Sequence, residues 1–237
     1  MFLSRRACVS VIAVSVAAYA ADQTWKDKKV AEWSADEAQQ VLTDSPWTKT
    51  VTPTIDRSST TSSQPRRGGM GGMGGMGGVG GGRRGGGGYP QSSGQSTDDS
   101  SSYGPPPSLR VRWESALPVR EAELKTKDND APTLDQDHYA IAVYGVPSKS
   151  VSGDPKHVAD QLKKRAVIKR DGKKDLKPSS VEVLQRDDGP VIVYLFPRST
   201  EITKADRRAE FDAEAGRFQF SQSFFLDEMA YQGKLEL

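Results

Sequence analysis

The alternation of apolar and polar residues predicts strands throughout the second half of the chain. In residues 109–113 every second side chain is apolar, as in a strand with one buried face. Similar runs, separated by turn residues such as Asp188-Gly189, predict strands at 139–146, 181–185, 191–196, 209–213, 217–225 and 229–235. Two further runs, 166–170 and 173–176, lie on either side of Asp171-Gly172 and predict a hairpin.

Two helices are expected among these strands. Residues 118–125 form one candidate, and Asp154-Pro155 provides an N-cap and a first-turn proline for the other. Because most strands follow one another without an intervening helix, most pairing should be antiparallel. The early strand–helix–strand part leaves room for one parallel pair. We therefore expect an α+β domain at 108–237, mostly antiparallel sheet, in a chain with two or three helices.

A short arm, residues 21–56, precedes this domain. Ser34-Ala-Asp-Glu37 is a capping box, and the apolar positions that follow it have helical spacing. Trp25, Trp33 and Trp47 flank the predicted helix, and they carry more apolar area than an isolated helix can shelter. The arm should therefore dock, either on the downstream domain or on a partner protein through these three tryptophans.

The composition of residues 57–107 predicts a disordered linker between arm and domain. It combines Ser/Thr runs, a repeated Gly-Gly-Met, two Arg pairs among glycines, and a closing Pro-Pro-Pro. Such a segment holds too little apolar surface to offset the entropy of ordering. We expect the arm and the domain to be joined by a tether.

Residues 1–20 predict a signal peptide. Arg5 and Arg6 precede an apolar run that begins at Cys8 and ends in Ala18-Tyr-Ala20. The run is shorter than the roughly 20 residues that span a bilayer. The mature protein should begin near Ala21, without a transmembrane segment, and be exported to a periplasm or the medium.

The amino-acid composition limits which reactive groups and binding partners the mature chain can have. Cys8 is the only cysteine, so removal of the signal leaves neither a disulfide nor a cysteine nucleophile. The chain has 33 Lys and Arg against 31 Asp and Glu, and losing Arg5 and Arg6 brings the net charge to zero. A neutral protein has no global field that attracts nucleic acid or anionic lipid, so such binding requires a local patch.

The linker supplies one candidate patch. Arg66, Arg67, Arg83 and Arg84 lie among glycines, as in segments that pair with phosphate and stack on bases. The alternative is a solvated linker, which fits the small number of arginines and the expected export. We expect nucleic acid to be an improbable partner.

Metal sites have weak support. Met70, Met73 and Met76 offer thioethers suited to Cu(I), but slippage in a Gly-rich repeat produces the same spacing. Asp128, Asp130, Asp135 and Asp137 form an acidic loop that lacks the glycine and glutamate of a calcium loop. We expect no bound metal and no cofactor.

No catalytic motif is apparent. His138 and His157 have no metal-ligand spacing, and neither a nucleophile elbow nor a phosphate loop is present. Glu182 and Glu228 lie in strand-like runs, where a carboxylate normally faces solvent. A hydrolase remains an alternative if the fold brings distant carboxylates together.

Several segments resemble a group of predicted-secreted bacterial proteins of acidobacterial type. The segments that carry the resemblance are Asp44-Ser-Pro-Trp47, Arg112-Trp-Glu-Ser-Ala116, Val193-Tyr-Leu-Phe-Pro-Arg198 and Tyr231-Gln-Gly-Lys-Leu-Glu-Leu237. The resemblance covers the arm and the domain and implies export, without an established activity. The sequence therefore predicts an exported, non-enzymatic interaction or accessory protein of unknown partner.

Overall fold

Three helices and eleven strands make up the described part of the chain. The computed structural model describes residues 23–56, 106–128 and 131–237. Helix α1 spans Ala35–Thr43, α2 spans Leu117–Thr126 and α3 spans Pro155–Lys164. The strands are β1 Thr48–Val51, β2 Thr54–Ile55, β3 Leu109–Trp113, β4 His138–Tyr144, β5 Val167–Arg170, β6 Ser180–Arg186, β7 Gly189–Pro197, β8 Arg208–Ala215, β9 Phe218–Phe225, β10 Ala230–Tyr231 and β11 Lys234–Leu235. Short 3-10 helices lie at Thr24–Asp27, Val30–Glu32, Ser148–Val151 and Lys204–Asp206.

The strands form two large sheets and one small hairpin. The first sheet has the order β1-β3-β4-β7-β6, the second has the order β2-β9-β8-β5, and β10 pairs with β11. Every ladder between these strands is antiparallel. The predicted α+β class is confirmed. The parallel pair for which the sequence left room is not found among the described strands, since β3 and β4, on either side of α2, pair antiparallel.

The main core lies between the two sheets. Trp113 of the first sheet contacts Phe224 of the second with ring centroids 5.4 Å apart, and Tyr194 contacts Phe211 at 5.1 Å. The apolar side of α3, including Leu162, adds to the same core. The alternation read from the sequence therefore places one face of each strand between the sheets.

The predicted arm is built into both sheets. Strand β1 pairs with β3, and after Pro53 the chain enters the second sheet, where β2 pairs with β9. Helix α1 has the predicted capping box between Ser34 and Glu37. Residues 23–56 therefore share one core with the downstream domain, because β1 and β2 complete the ladders of its strands.

One predicted hairpin and one predicted strand have a different form. Strand β5 pairs with β8, and residues 173–176 contribute only the single bridge between Ile168 and Leu176. The predicted strand at 229–235 is divided into β10 and β11. The turn between them uses positive φ angles at Gln232 and Gly233, which interrupt an extended backbone.

Candidate functional site

The polar face of β3 contributes to a buried charge cluster. Because side chains alternate along a strand, Arg112 lies on the opposite side of the sheet from Val111 and Trp113. Arg112 and Glu114, together with Glu123 of α2, expose 3% of their surface or less. Tyr144 of β4 completes this set, and we call these four residues the buried charge cluster.

Hydrogen bonds join all four members of the cluster. Arg112 donates from Nε to Glu114 Oε2 at 2.5 Å and from Nη2 to Glu123 Oε1 at 2.8 Å. It also donates to the Tyr144 hydroxyl, which in turn donates to Glu114 Oε1 at 2.7 Å. The guanidinium lies 4.6 Å from the centre of the Tyr144 ring, a cation–π distance.

The two carboxyl groups of the cluster differ in protonation. Burial and the neighbouring Glu114 carboxylate raise the pKa of Glu123 to about 10. Burial alone would also raise the pKa of Glu114, but the Arg112 guanidinium beside it holds that pKa below its usual range. At neutral pH the pair therefore holds one proton on Glu123, and the charge of Glu114 balances that of Arg112.

The cluster is enclosed, and this limits what its acids can do. Glu114 is fully buried, so neither of its oxygens is presented to a substrate in solution. Removing one partner of such a buried pair leaves an uncompensated charge, which costs about 3–5 kcal/mol of stability. The arrangement fixes β3, β4 and α2 relative to one another.

Arg120 connects the buried charge cluster to the surface. Its Nη1 donates to Glu123 Oε2 at 3.1 Å and to the Pro132 carbonyl at 2.8 Å. About a third of the Arg120 side chain is exposed, at 35%. The hydrogen bonds of Arg120 within the described residues use only Nη1, so Nε and Nη2 can donate to a ligand.

Arg120 lies in a surface groove, together with Ser115 and Arg198. Two adjoining hollows of about 440 and 400 Å³ share these three side chains as lining. We call the groove around them the arginine cleft. Leu117 and Leu235 add apolar surface to the larger hollow, and Leu134 adds it to the smaller one.

Arg198 is held firmly at the end of β7. Its Nε donates to the His138 carbonyl at 3.2 Å, and its Nη2 donates to Leu237 O at 2.5 Å. The guanidinium stacks 4.4 Å from the centre of the Tyr139 ring. Because these contacts occupy Nε and Nη2, the position of Nη1 is fixed before any ligand arrives.

The arginine cleft has the chemistry of an anion site. Guanidinium groups pair with carboxylates and phosphates through several N–H donors. The Ser115 hydroxyl accepts from the Ala140 amide at 3.0 Å and retains its own proton for donation. Carboxylates also line the groove: Asp135 in one hollow, and Glu201 and Glu236 in the other.

The three tryptophans predicted for a partner interface are buried against their own chain. Trp25 and Trp47 have no exposed surface, and Trp33 exposes 3%. Trp25 contacts Trp33 and Trp47 with ring centroids 5.9 and 5.7 Å apart, and Trp33 contacts Tyr231 at 5.7 Å. Trp47 Nε1 also donates to the Glu236 carbonyl at 2.7 Å. Of the two alternatives, the structure places these rings on the downstream domain.

Several candidates lie outside the described residues. These include the linker arginines Arg66, Arg67, Arg83 and Arg84, the three methionines of the repeat, and the signal segment. Within the described ranges, no group of three or more His, Cys, Asp or Glu side chains could hold a metal ion. Of the two histidines, His138 contacts Asp135 through Nδ1 at 2.8 Å, and His157 contacts Gln161.

A second charged surface was missed by the sequence analysis. Residues 163–177 hold eight Lys or Arg and two Asp, although the mature chain is predicted to be neutral. Lys163, Lys164, Lys174 and Lys177 are all exposed, and we call them the α3–β5 lysine surface. A count of charge along successive windows would have found this excess.

Comparisons with known proteins assign neither a family nor an activity. The chain matches no protein-family model, no curated protein and no solved structure. None of the helices in the described ranges has the length and apolar character needed to cross a bilayer.

Proposed function

We propose that the chain is an exported, non-enzymatic interaction protein that binds an organic anion in the arginine cleft. The observation that carries the proposal is the convergence of Arg120, Arg198 and Ser115 where the two hollows meet. These side chains come from α2, the end of β7 and the β3–α2 junction, so the fold itself brings three hydrogen-bond donors together.

The ligand class follows from the lining. A carboxylate or a phosphate monoester matches the two guanidinium groups, and an apolar part of the ligand matches Leu117, Leu134 and Leu235. A neutral ligand of the same shape would form no ion pair with either guanidinium group.

The enclosed acids support a binding role over hydrolysis. A hydrolase of the predicted kind needs two carboxyl groups that reach a substrate bond. The two carboxyl groups of the buried charge cluster, Glu114 and Glu123, expose 0% and 3% of their surface. Export rests on the predicted signal segment and on the resemblance to predicted-secreted proteins.

Calorimetric titration tests the ligand site. Benzoate and phenyl phosphate serve as probes, and benzamide serves as their uncharged counterpart. We expect the two anions to bind and benzamide not to bind, and we expect Arg198→Gln and Arg120→Gln each to weaken anion binding about tenfold or more. Arg208→Gln, at an arginine that lines neither hollow, should leave the affinity unchanged.

Other outcomes would contradict the proposal. Equal binding of benzoate and benzamide, or affinities that both cleft variants leave unchanged while their thermal unfolding is normal, would remove the arginine cleft as the site. The export part has its own test. N-terminal sequencing of protein recovered outside the cytoplasm should begin at Ala21, and an intact Met1 terminus would contradict it.

A further inference from the structure

The α3–β5 lysine surface is assembled from two parts of the chain. Lys163 and Lys164 lie in the last turn of α3, and β5 begins three residues later. Ile168 and Leu176 then exchange two backbone hydrogen bonds of 2.9 and 2.8 Å. This bridge returns the chain antiparallel to β5 and brings Lys177 across from the start of that strand.

Many bases in this region already have acidic partners. Arg165 pairs with Glu214, and Lys169 pairs with Asp212. Lys173 pairs with Asp206 at 2.6 Å. Acidic side chains of β8 and of the 3-10 helix Lys204–Asp206 thus neutralise these three bases.

The four lysines of the surface have no such partner among the described residues. Lys163 and Lys164 also complement the partial negative charge at the C-terminal end of α3, and this interaction explains their presence there. Lys174 and Lys177 lie in the return segment after β5, where no helix end explains them. One exposed carboxylate, Asp175, lies between them in the sequence.

We propose that the α3–β5 lysine surface docks the protein on a bilayer that contains anionic phospholipid. The lysines are compact, mobile charges spread over an exposed helix end and the return segment after β5, an arrangement that suits many exchangeable headgroups. Single-stranded nucleic acid would require aromatic side chains for base stacking, and residues 163–177 contain none.

The docking is expected to be peripheral. The apolar residues Val158 and Leu162 of α3 face the core and are unavailable for insertion. Electrostatic attraction therefore acts alone, and it decreases with salt within a Debye length. The proposal uses export only to bring the protein to an envelope membrane, and it is independent of ligand binding in the arginine cleft.

Vesicle co-sedimentation tests this inference with two matched variants of the full chain. One variant replaces Lys163, Lys164, Lys174 and Lys177 by Gln, and the control replaces the exposed Lys29, Lys149, Lys156 and Lys234 by Gln. Both lose four charges. The probes are vesicles of phosphatidylcholine with or without 30% phosphatidylglycerol, at low and high salt.

The expected result is salt-sensitive binding to anionic vesicles only. Each lysine of the surface should contribute about fivefold to partitioning, so the first variant loses most binding while the control retains it. Equal losses in both variants, equal binding to neutral vesicles, or tighter binding to duplex DNA than to vesicles would overturn the proposal. Benzoate titration of the same variants should be unchanged, so the two sites fail separately.

Discussion

The buried charge cluster and the α3–β5 lysine surface both concentrate ionisable side chains, but they differ in how the charges are matched. In the cluster, Arg112 has hydrogen-bonded partners at Glu114, Glu123 and Tyr144 and exposes 1% of its surface. On the surface, four lysines face solvent and have no acidic partner among the described residues. Matched charges fix the positions of strands and helices, whereas unmatched exposed charges remain available to a partner.

Removing the cation of the buried charge cluster should have the largest effect on stability. Arg112→Met leaves the Glu114 carboxylate buried without its cation, and we expect the free energy of unfolding to fall by about 3–5 kcal/mol. Chemical denaturation measures this loss. The matched control is Arg208→Met, whose side chain is 41% exposed and whose ion pairs should contribute about 1 kcal/mol or less. Similar losses in both variants would contradict the difference between the two regions.

The protonation of Glu123 makes the free energy of unfolding depend on pH. Because the pKa of Glu123 is about 10 when folded and near 4.5 when unfolded, the folded state holds an extra proton between these values. The free energy of unfolding should therefore fall as pH rises from about 5 to 9, by up to about 1.4 kcal/mol per pH unit from this group. Glu123→Gln keeps a neutral donor there and should flatten that slope. A slope unchanged by the substitution would show that Glu123 is not the proton-binding group.

The tryptophans of the arm provide a smaller, internally controlled test. Trp47→Phe removes a hydrogen bond to the Glu236 carbonyl, whereas Trp25 Nε1 has no hydrogen-bond partner within the described residues. Both rings are fully buried, so the loss of volume is similar. Thermal and denaturant unfolding should show Trp47→Phe to be less stable than Trp25→Phe by about 1 kcal/mol. A reversed order would contradict the docking of Trp47 on the C-terminal segment.

The smallest effect on stability is expected at the lysine surface. Replacing Lys163, Lys164, Lys174 and Lys177 by Gln should change the free energy of unfolding by less than about 0.5 kcal/mol for each site. Circular dichroism melts would detect a larger change. A strongly destabilised variant would show that these lysines stabilise the fold, and the contrast with the buried cluster would disappear.

Local sequence patterns predicted the helices and strands that depend mainly on neighbouring residues. The alternation in 109–113, the Ser34–Glu37 capping box and the Asp154-Pro155 start all correspond to observed elements. Strands β1 and β2 were not predicted, although Thr48-Lys-Thr-Val51 alternates weakly. Their extended form depends on pairing with β3 and β9, which are distant in sequence.

The candidate sites required the three-dimensional arrangement. Arg120 and Arg198 are 78 residues apart in sequence, and no spacing rule relates them. Glu114 and Glu123 belong to a strand and a helix, so sequence alone gave only the general possibility of assembled carboxylates. The lysine excess at 163–177 is visible in the sequence, but the net charge of the whole chain does not reveal it.

The most direct test of the central claim is a carbon-13 NMR titration of the glutamate side-chain carboxyls. The account predicts that Glu123 remains protonated through neutral pH with a pKa near 10, while Glu114 stays ionised well into the acidic range. If both carboxyl groups titrated near 4.5, they would be accessible to solvent. That result would contradict a buried charge cluster whose role is to stabilise the fold.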